Sequence, residues 1–183
     1  MSTAVVILSP GFEEIEAITI IDILRRGGVE VTVAGLKKGL ISGSHNIPVQ
    51  PDVYYRDIVE TEFDMLILPG GQPGTENLKK DTRLLKWVEE RSRHKGKIAA
   101  ICAAPTVLQK AGIAGGLKVT SYPTEKAQFK DSEYLEDDVV KDKNIITSRG
   151  VGTAIEFSLA LVSELAGAQK AAEVKEKILY HSK

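Results

Sequence analysis

Lys97-Ile98-Ala99-Ala100-Ile101-Cys102-Ala103-Ala104-Pro105-Thr106 is the stretch on which the fold turns. Residues 97–101 are a short, almost wholly apolar run, the pattern of a strand buried on both faces. The run ends directly at Cys102 and residues 103–111 read as a helix, so strand passes to helix with no linker between them. The same unit recurs on either side. Toward the N-terminus, Ala4-Val5-Val6-Ile7-Leu8 is a β-branched apolar run halted by Pro10-Gly11. Ile15, Ile18, Ile21 and Leu24 then recur at helical spacing until Gly27-Gly28 stops them after the basic pair Arg25-Arg26. Val29, Val31 and Val33 alternate with Glu30 and Thr32 as a second parallel strand, completing a right-handed βαβ unit. Met65-Leu66-Ile67-Leu68 is another buried strand, cut off by Pro69-Gly70-Gly71, and the helix after it is expected over residues 81–93 with Leu84, Leu85 and Val88 inward.

Beyond Cys102, residues 118–121 read as a strand, and Val139-Val140 with Ile145-Ile146 read as a hairpin turned at residues 141–144. Thr153-Ala154-Ile155-Glu156 has the form of a capping box opening a helix to about residue 166, and a last helix covers residues 171–179. Residues 37–62, with Gly39, Gly43, Pro48 and Pro51, suggest an edge hairpin or excursion. Strands and helices alternate throughout, which predicts a doubly wound α/β sandwich, and 183 residues fit one domain over 1–183.

Composition narrows the function. With 43% hydrophobic and 27% charged residues the chain is an ordinary globular protein. Lys and Arg total 24 against 25 Asp and Glu, a net charge of -1, so no basic excess is present to release counterions from nucleic acid or to hold an anionic membrane. A small partner is expected, with no membrane and no specific nucleic-acid binding. No window approaches the roughly 20 apolar residues of a membrane span, and residues 1–10 lack a signal peptide's basic region, so a cytoplasmic location is expected. The single cysteine, Cys102, excludes an internal disulfide and a CxxC zinc site, and the scattered His45, His94 and His181 suggest no metal. No cofactor is expected either. The sequence lacks G-x-x-x-x-G-K-[ST], and Gly11 is followed by Glu13, Glu14 and Glu16, which would repel a phosphate.

Ligands of open α/β sheets bind beyond the carboxyl ends of the strands. Four such tips stand out: Pro10-Gly11-Phe12-Glu13-Glu14-Ile15-Glu16, Pro69-Gly70-Gly71, Cys102-Ala103-Ala104-Pro105, and Ser148-Arg149-Gly150-Val151-Gly152-Thr153. Early glutamates complement a helix dipole, and Glu16 is the one placed to face the sheet edge. Small residues around Cys102 permit a tight, strained nucleophile elbow, where a helix N-terminus would favour the thiolate below its free pKa of about 8.5. The same cysteine reads equally well as buried apolar filling. Gly70-Gly71 either simply makes a turn or leaves N–H groups that form an oxyanion hole with the amide of Ala103. The Gly150-Val151-Gly152 loop resembles an anion site but reads as structural, because the capping box would already occupy its donors. A cysteine hydrolase wants a histidine base. His94 and His181 read as surface residues, and His45, in the excursion, is an outside candidate.

Gly11-Phe12-Glu13-Glu14-Ile15-Glu16, Val33-Ala34-Gly35-Leu36, Leu68-Pro69-Gly70-Gly71, Ala99-Ala100-Ile101-Cys102-Ala103-Ala104-Pro105-Thr106 and Thr147-Ser148-Arg149-Gly150-Val151-Gly152-Thr153-Ala154-Ile155-Glu156-Phe157 together resemble the ThiJ/PfpI superfamily, in its parkinsonism-associated deglycase branch. The resemblance spans residues 4–179. It implies a flavodoxin-like homodimer with a reactive elbow cysteine at Cys102, a glutamate hydrogen-bonded to it at Glu16, and oxyanion donors at Gly71 and Ala103. Gly70 and Tyr122 are possible supporting residues. It further implies a glutathione-independent glyoxalase or deglycase acting on methylglyoxal, glyoxal or their early adducts on proteins and nucleotides. The alternative is a non-enzymatic redox sensor or redox-regulated chaperone working through oxidation of Cys102. The family often carries a histidine before a proline after the elbow helix, whereas this chain has Tyr122 before Pro123, and His45 stands where an arginine is common. A phenol with a pKa of about 10 is a poor base at neutral pH, so no Cys-His dyad is assumed and turnover should be slow.

Overall fold

The computed structural model describes residues 1–59 and 61–181. β1 (Thr3–Leu8) leads through a loop at Pro10-Gly11 to α1 (Glu14–Arg26), and β2 (Glu30–Gly35) returns beside β1 in parallel, in register from Thr3↔Glu30 to Leu8↔Gly35. The excursion resolves into an antiparallel pair, β3 (Ile41–Ser42) with β4 (Pro48–Val49), and β5 (Val53–Tyr54), which joins β2 as the sheet's parallel edge. β6 (Met65–Leu68) is wholly buried beside β1. It is followed by α2 (Gly74–Lys80) and α3 (Thr82–Arg93), then by β7 (Lys97–Ile101) and the short α4 (Pro105–Lys110). β8 (Lys118–Val119) and β9 (Glu133–Tyr134) precede the hairpin of β10 (Val139–Asp142) and β11 (Ile145–Ser148), and α5 (Ala154–Ala166) and α6 (Ala168–Lys177) complete the order.

The central sheet runs β10-β11-β7-β6-β1-β2-β5, parallel except for β10, so the expected mostly parallel doubly wound sandwich is present. Alternate strand residues feed two cores. Val6, Leu8, Ile67 and Ile101 pack on one face with Ile20, Phe157 and Leu161 of α1 and α5. Val5, Ile7, Leu66 and Ala100 pack on the other with Leu84, Trp87 and Val107 of α3 and α4. No helix among the described residues is long and apolar enough to cross a membrane.

Four expectations are corrected. The residues before 81 are helical: Asp81 is extended at φ -83, ψ 100, and its carboxylate accepts from the Arg83 and Leu84 amides, so it ends α2 and caps α3 at once. The strand expected at residues 118–121 is only two residues long and pairs with β9, outside the central sheet. Helix α4 starts at Pro105, leaving Ala103-Ala104 in the turn. The capping box does not form, because Thr153 Oγ1 turns back to Gly150 N at 3.1 Å and Ser148 Oγ at 2.7 Å, while Glu156 accepts from Tyr180 at 3.1 Å.

Candidate active site

The chain order of the sheet reverses between β1 and β6, since β2 lies on one side of β1 and every later central strand except β5 lies on the other. A crevice opens beyond the carboxyl ends of strands at such a point. Into it project the loop before α1, the Pro69-Gly70-Gly71 turn and Cys102, the residue that follows β7. Sequence dictates this close approach at the two glycines. Gly71 has φ +92, and a Cβ there would lie 2.3 Å from the Glu13 amide nitrogen; one on Gly70 would lie 2.6 Å from Cys102 Cβ.

Cys102 has φ +64, a left-handed conformation costly for a residue with a side chain, as expected of an elbow. The surrounding structure holds it there: its N–H donates to Ser148 O at 3.0 Å, and its carbonyl accepts from the Tyr122 amide at 2.8 Å. The backbone N–H groups of Ala103 and Gly71 both hydrogen-bond the half-buried sulfur. Glu16, on the first turn of α1, is fully buried. Its Oε2 accepts from the Gly70 amide at 2.8 Å, Oε1 has no nitrogen or oxygen partner among the described residues, and the carboxyl lies against the Cys102 thiol.

These two groups share one electrostatic environment. Burial pushes the Glu16 carboxyl up to about 7, against the lowering effect of the Gly70 amide and the cysteine. Burial, then the adjacent Glu16 charge, pushes the Cys102 thiol up to about 12. This reverses the expected preference for thiolate. Cys102 lies three residues ahead of a six-residue helix, so little dipole reaches the sulfur, and desolvation prevails. At neutral pH the thiol therefore keeps its proton, beside a carboxyl that titrates near neutrality.

A cavity of about 640 Å³ opens over the sulfur. Glu16, Gly71, Cys102, Ala103 and Tyr122 all line it, while Gly70 supports it from behind through the Glu16 contact. Tyr122 stands 47% exposed at the rim. The sequence reading missed Glu13, Glu125, Asp138 and Arg149 as further lining groups, although Arg149 belongs to the fourth strand tip and was findable there. None of the histidines lines the cavity. His45 sits on the β3–β4 turn, 70% exposed, with Nδ1 3.1 Å from Glu14 and 3.7 Å from Glu13; His94 ends α3, and His181 is exposed. The ligand atoms of Glu13, Glu14 and His45 lie within 4.8 Å of one another, a convergence the spacing did not suggest. Glu14's carboxylate is committed there to the His45 and Ile47 amides and to Ser44, so the group acts as a hydrogen-bonded clasp on the hairpin.

Comparison with known proteins agrees with this geometry. A family profile described as the DJ-1/PfpI family matches residues 2–164. Protein dj-1beta of Drosophila melanogaster is 44% identical over 180 residues, covering 97% of this chain and 96% of that protein. The glutathione-independent glyoxalase DJR-1.2 of Caenorhabditis elegans is 37% identical over 171 residues, covering 92% and 91%. The crystal structure of Drosophila DJ-1beta superposes with a TM-score of 0.96 over 100% of both chains, and that of oxidized Toxoplasma gondii DJ-1, at 33% identity, also gives 0.96 over 100% of both.

Proposed function

The chain belongs to the DJ-1/PfpI family, and from that premise we propose that it is a cysteine-dependent, glutathione-independent glyoxalase and deglycase. Its substrates are methylglyoxal, glyoxal or their early adducts on proteins and nucleotides. That one relative is named a glyoxalase supports an enzymatic reading at the level of the family. The observation that carries the finer reading is the meeting of three features at one sulfur: a strained elbow, a buried carboxyl with a free oxygen, and two backbone N–H groups.

In this reading, the Cys102 sulfur attacks the aldehyde carbon while its proton passes to the Glu16 carboxylate. The carbonyl electron pair moves onto oxygen, which the Gly71 and Ala103 amides hold. Glu16 returns the proton to that oxygen, giving a hemithioacetal. It then removes the proton from the former aldehyde carbon and delivers it to the neighbouring carbonyl carbon, while the hydroxyl proton of the first carbon passes to the oxygen of the second, leaving a carbonyl on sulfur with a hydroxyl beside it. Water hydrolyses the resulting thioester, releasing lactate from methylglyoxal and restoring the thiol. On a hemiaminal adduct the C–N bond breaks as the C–S bond forms, the amine leaving with the thiol proton relayed by Glu16, and the same hemithioacetal results. Turnover is slow because no histidine assists and Tyr122 stands in its place.

Methylglyoxal supplied without glutathione should yield lactate, and C102S should retain the fold yet form none, since a serine hydroxyl is a far weaker nucleophile at pH 7. Substantial lactate from C102S would overturn the cysteine mechanism. A second reading, redox sensing by oxidation of Cys102, draws support from the part-exposed lone thiol and from a relative whose structure is described as oxidized, while the raised thiol, poor in thiolate, makes that oxidation slow. Either role suits a reducing cytoplasm and a homodimer.

A further inference from the structure

A second cavity, of about 590 Å³, lies behind the elbow between α2, α4 and the 3-10 turn Pro123–Gln128. Lys79 and Lys80 enter it from α2, Gln109 and Lys110 from α4, and Gln128 from the turn. A lysine in the last turn of a helix complements that helix's dipole, which accounts for each one singly. It does not account for three lysines from two helices converging on one concavity in a chain of net charge -1. Glu76 pairs with Lys79 at 2.6 Å and holds it, only 17% exposed, against the wall. Among the described residues, neither Lys80 nor Lys110 has a carboxylate within ion-pair distance. The lining therefore carries two uncompensated positive charges beside two primary amides.

We propose that this cavity binds a small phosphate monoester of a sugar. The dianionic phosphate matches the charge left by Lys80 and Lys110 with the Lys79–Glu76 pair, and ammonium groups serve phosphate as point charges. The Gln109 and Gln128 amides, each donor and acceptor, meet the hydroxyls. The volume lies in the range of small-molecule sites. Lys80 also lines an adjoining cavity of about 440 Å³ with Lys37, Arg56 and Asp81, of which Arg56 and Asp81 pair at 3.2 Å, so Lys37 and Lys80 leave these concave walls net positive, favouring a small anion over a polymer lying on a convex face. The 3-10 turn is a shared partition. Its Gln128 end faces this cavity, its Pro123–Glu125 end lines the cavity over Cys102, and the Gln128 amide donates to Glu125.

The test is calorimetric titration of ribose 5-phosphate, inorganic phosphate, ribose and an oligothymidylate into the protein at low ionic strength. The wild type should bind ribose 5-phosphate with a Kd on the order of 1 mM or tighter. K80Q/K110Q, both surface changes, should weaken binding about ten-fold or more, ribose should give no heat, and C102S should bind as the wild type does, whatever its catalytic fate. Absence of binding to the wild type, or an unchanged Kd in K80Q/K110Q, would overturn the site. Inorganic phosphate binding as tightly as ribose 5-phosphate would overturn the sugar contacts. An oligothymidylate binding more tightly than either would overturn the small-ligand assignment in favour of nucleic acid.

Discussion

Glu16 lies against Cys102, and Glu16→Gln separates the two proposed readings of the site. As an acid and base, Glu16 should be worth a factor on the order of 100 or more in lactate formation. As a donor to oxidised sulfur it is replaceable by an amide, so peroxide should still convert Cys102 to sulfinic acid in the variant at a similar rate. Unchanged lactate formation would remove the acid/base role. The same variant reports on stability. Glu16's folded value of about 7 is raised above the usual 4.5, so the protonated carboxyl stabilises fully below pH 4.5, and that stability is lost as pH rises through 7. The loss amounts to ~3 kcal/mol, and E16Q cannot suffer it. Urea unfolding from pH 4 to 8 should therefore show E16Q gaining on the wild type as pH rises, and parallel curves would refute the buried carboxyl. The residues of this site were legible because each ends a strand or follows one. The direction of the thiol's shift was not, because it depends on how deeply four separate segments bury one sulfur.

Among the elements, the β3–β4 hairpin shows how α1 organises its surroundings. Burial alone would raise Glu14, but the backbone amides around it and the His45 ring outweigh that and bring it down to about 2. Its charge thus stabilises the fold above the ordinary 4.5, and that contribution fades as pH falls toward 2. Truncation by E14A should release the His45 and Ile47 amides, so that their hydrogen exchange quickens about ten-fold while exchange in the centre of α1 is unchanged. Equal exchange in both proteins would leave the hairpin held by β-pairing alone. A sequence pattern shows three glutamates at a helix start; only the returning hairpin reveals that one of them clasps it. The missed α2 has a similar cause. Leu78 is the one large apolar side chain that α2 buries, so its seven residues carry too little periodicity to announce a helix, whereas α3, with Leu84, Trp87 and Val88 buried, was readable. The absent capping box was a local motif overruled by Ser148 and Gly150, which reach Thr153 first.

At the scale of the whole molecule, one face is left uncovered. The apolar spacing of α1 invites the reading that Ile15 and Ile18 face the core, but they are 55% and 46% exposed, while Glu16, Ala17, Ile20 and Leu24 turn inward. Beside them Ile155 of α5 and Leu179 beyond α6 are also exposed, and with Ile18 they line a shallow cavity of about 540 Å³. Apolar side chains grouped in this way mark a surface that another protein covers. The proposed homodimer would supply the cover, because a second copy would bring the same isoleucines in a self-complementary contact. Helix α1 would then carry the interface on one side and Glu16 on the other. Light scattering of the wild type should give twice 19.9 kDa, and I15E/I18E, which buries no charge within the monomer, should give 19.9 kDa with an unchanged circular dichroism spectrum. Lactate formation should fall in that variant, since α1 loses the contact that steadies its first turn. A wild type of 19.9 kDa, or a variant whose mass does not change, would show that this face is covered by something other than a second copy.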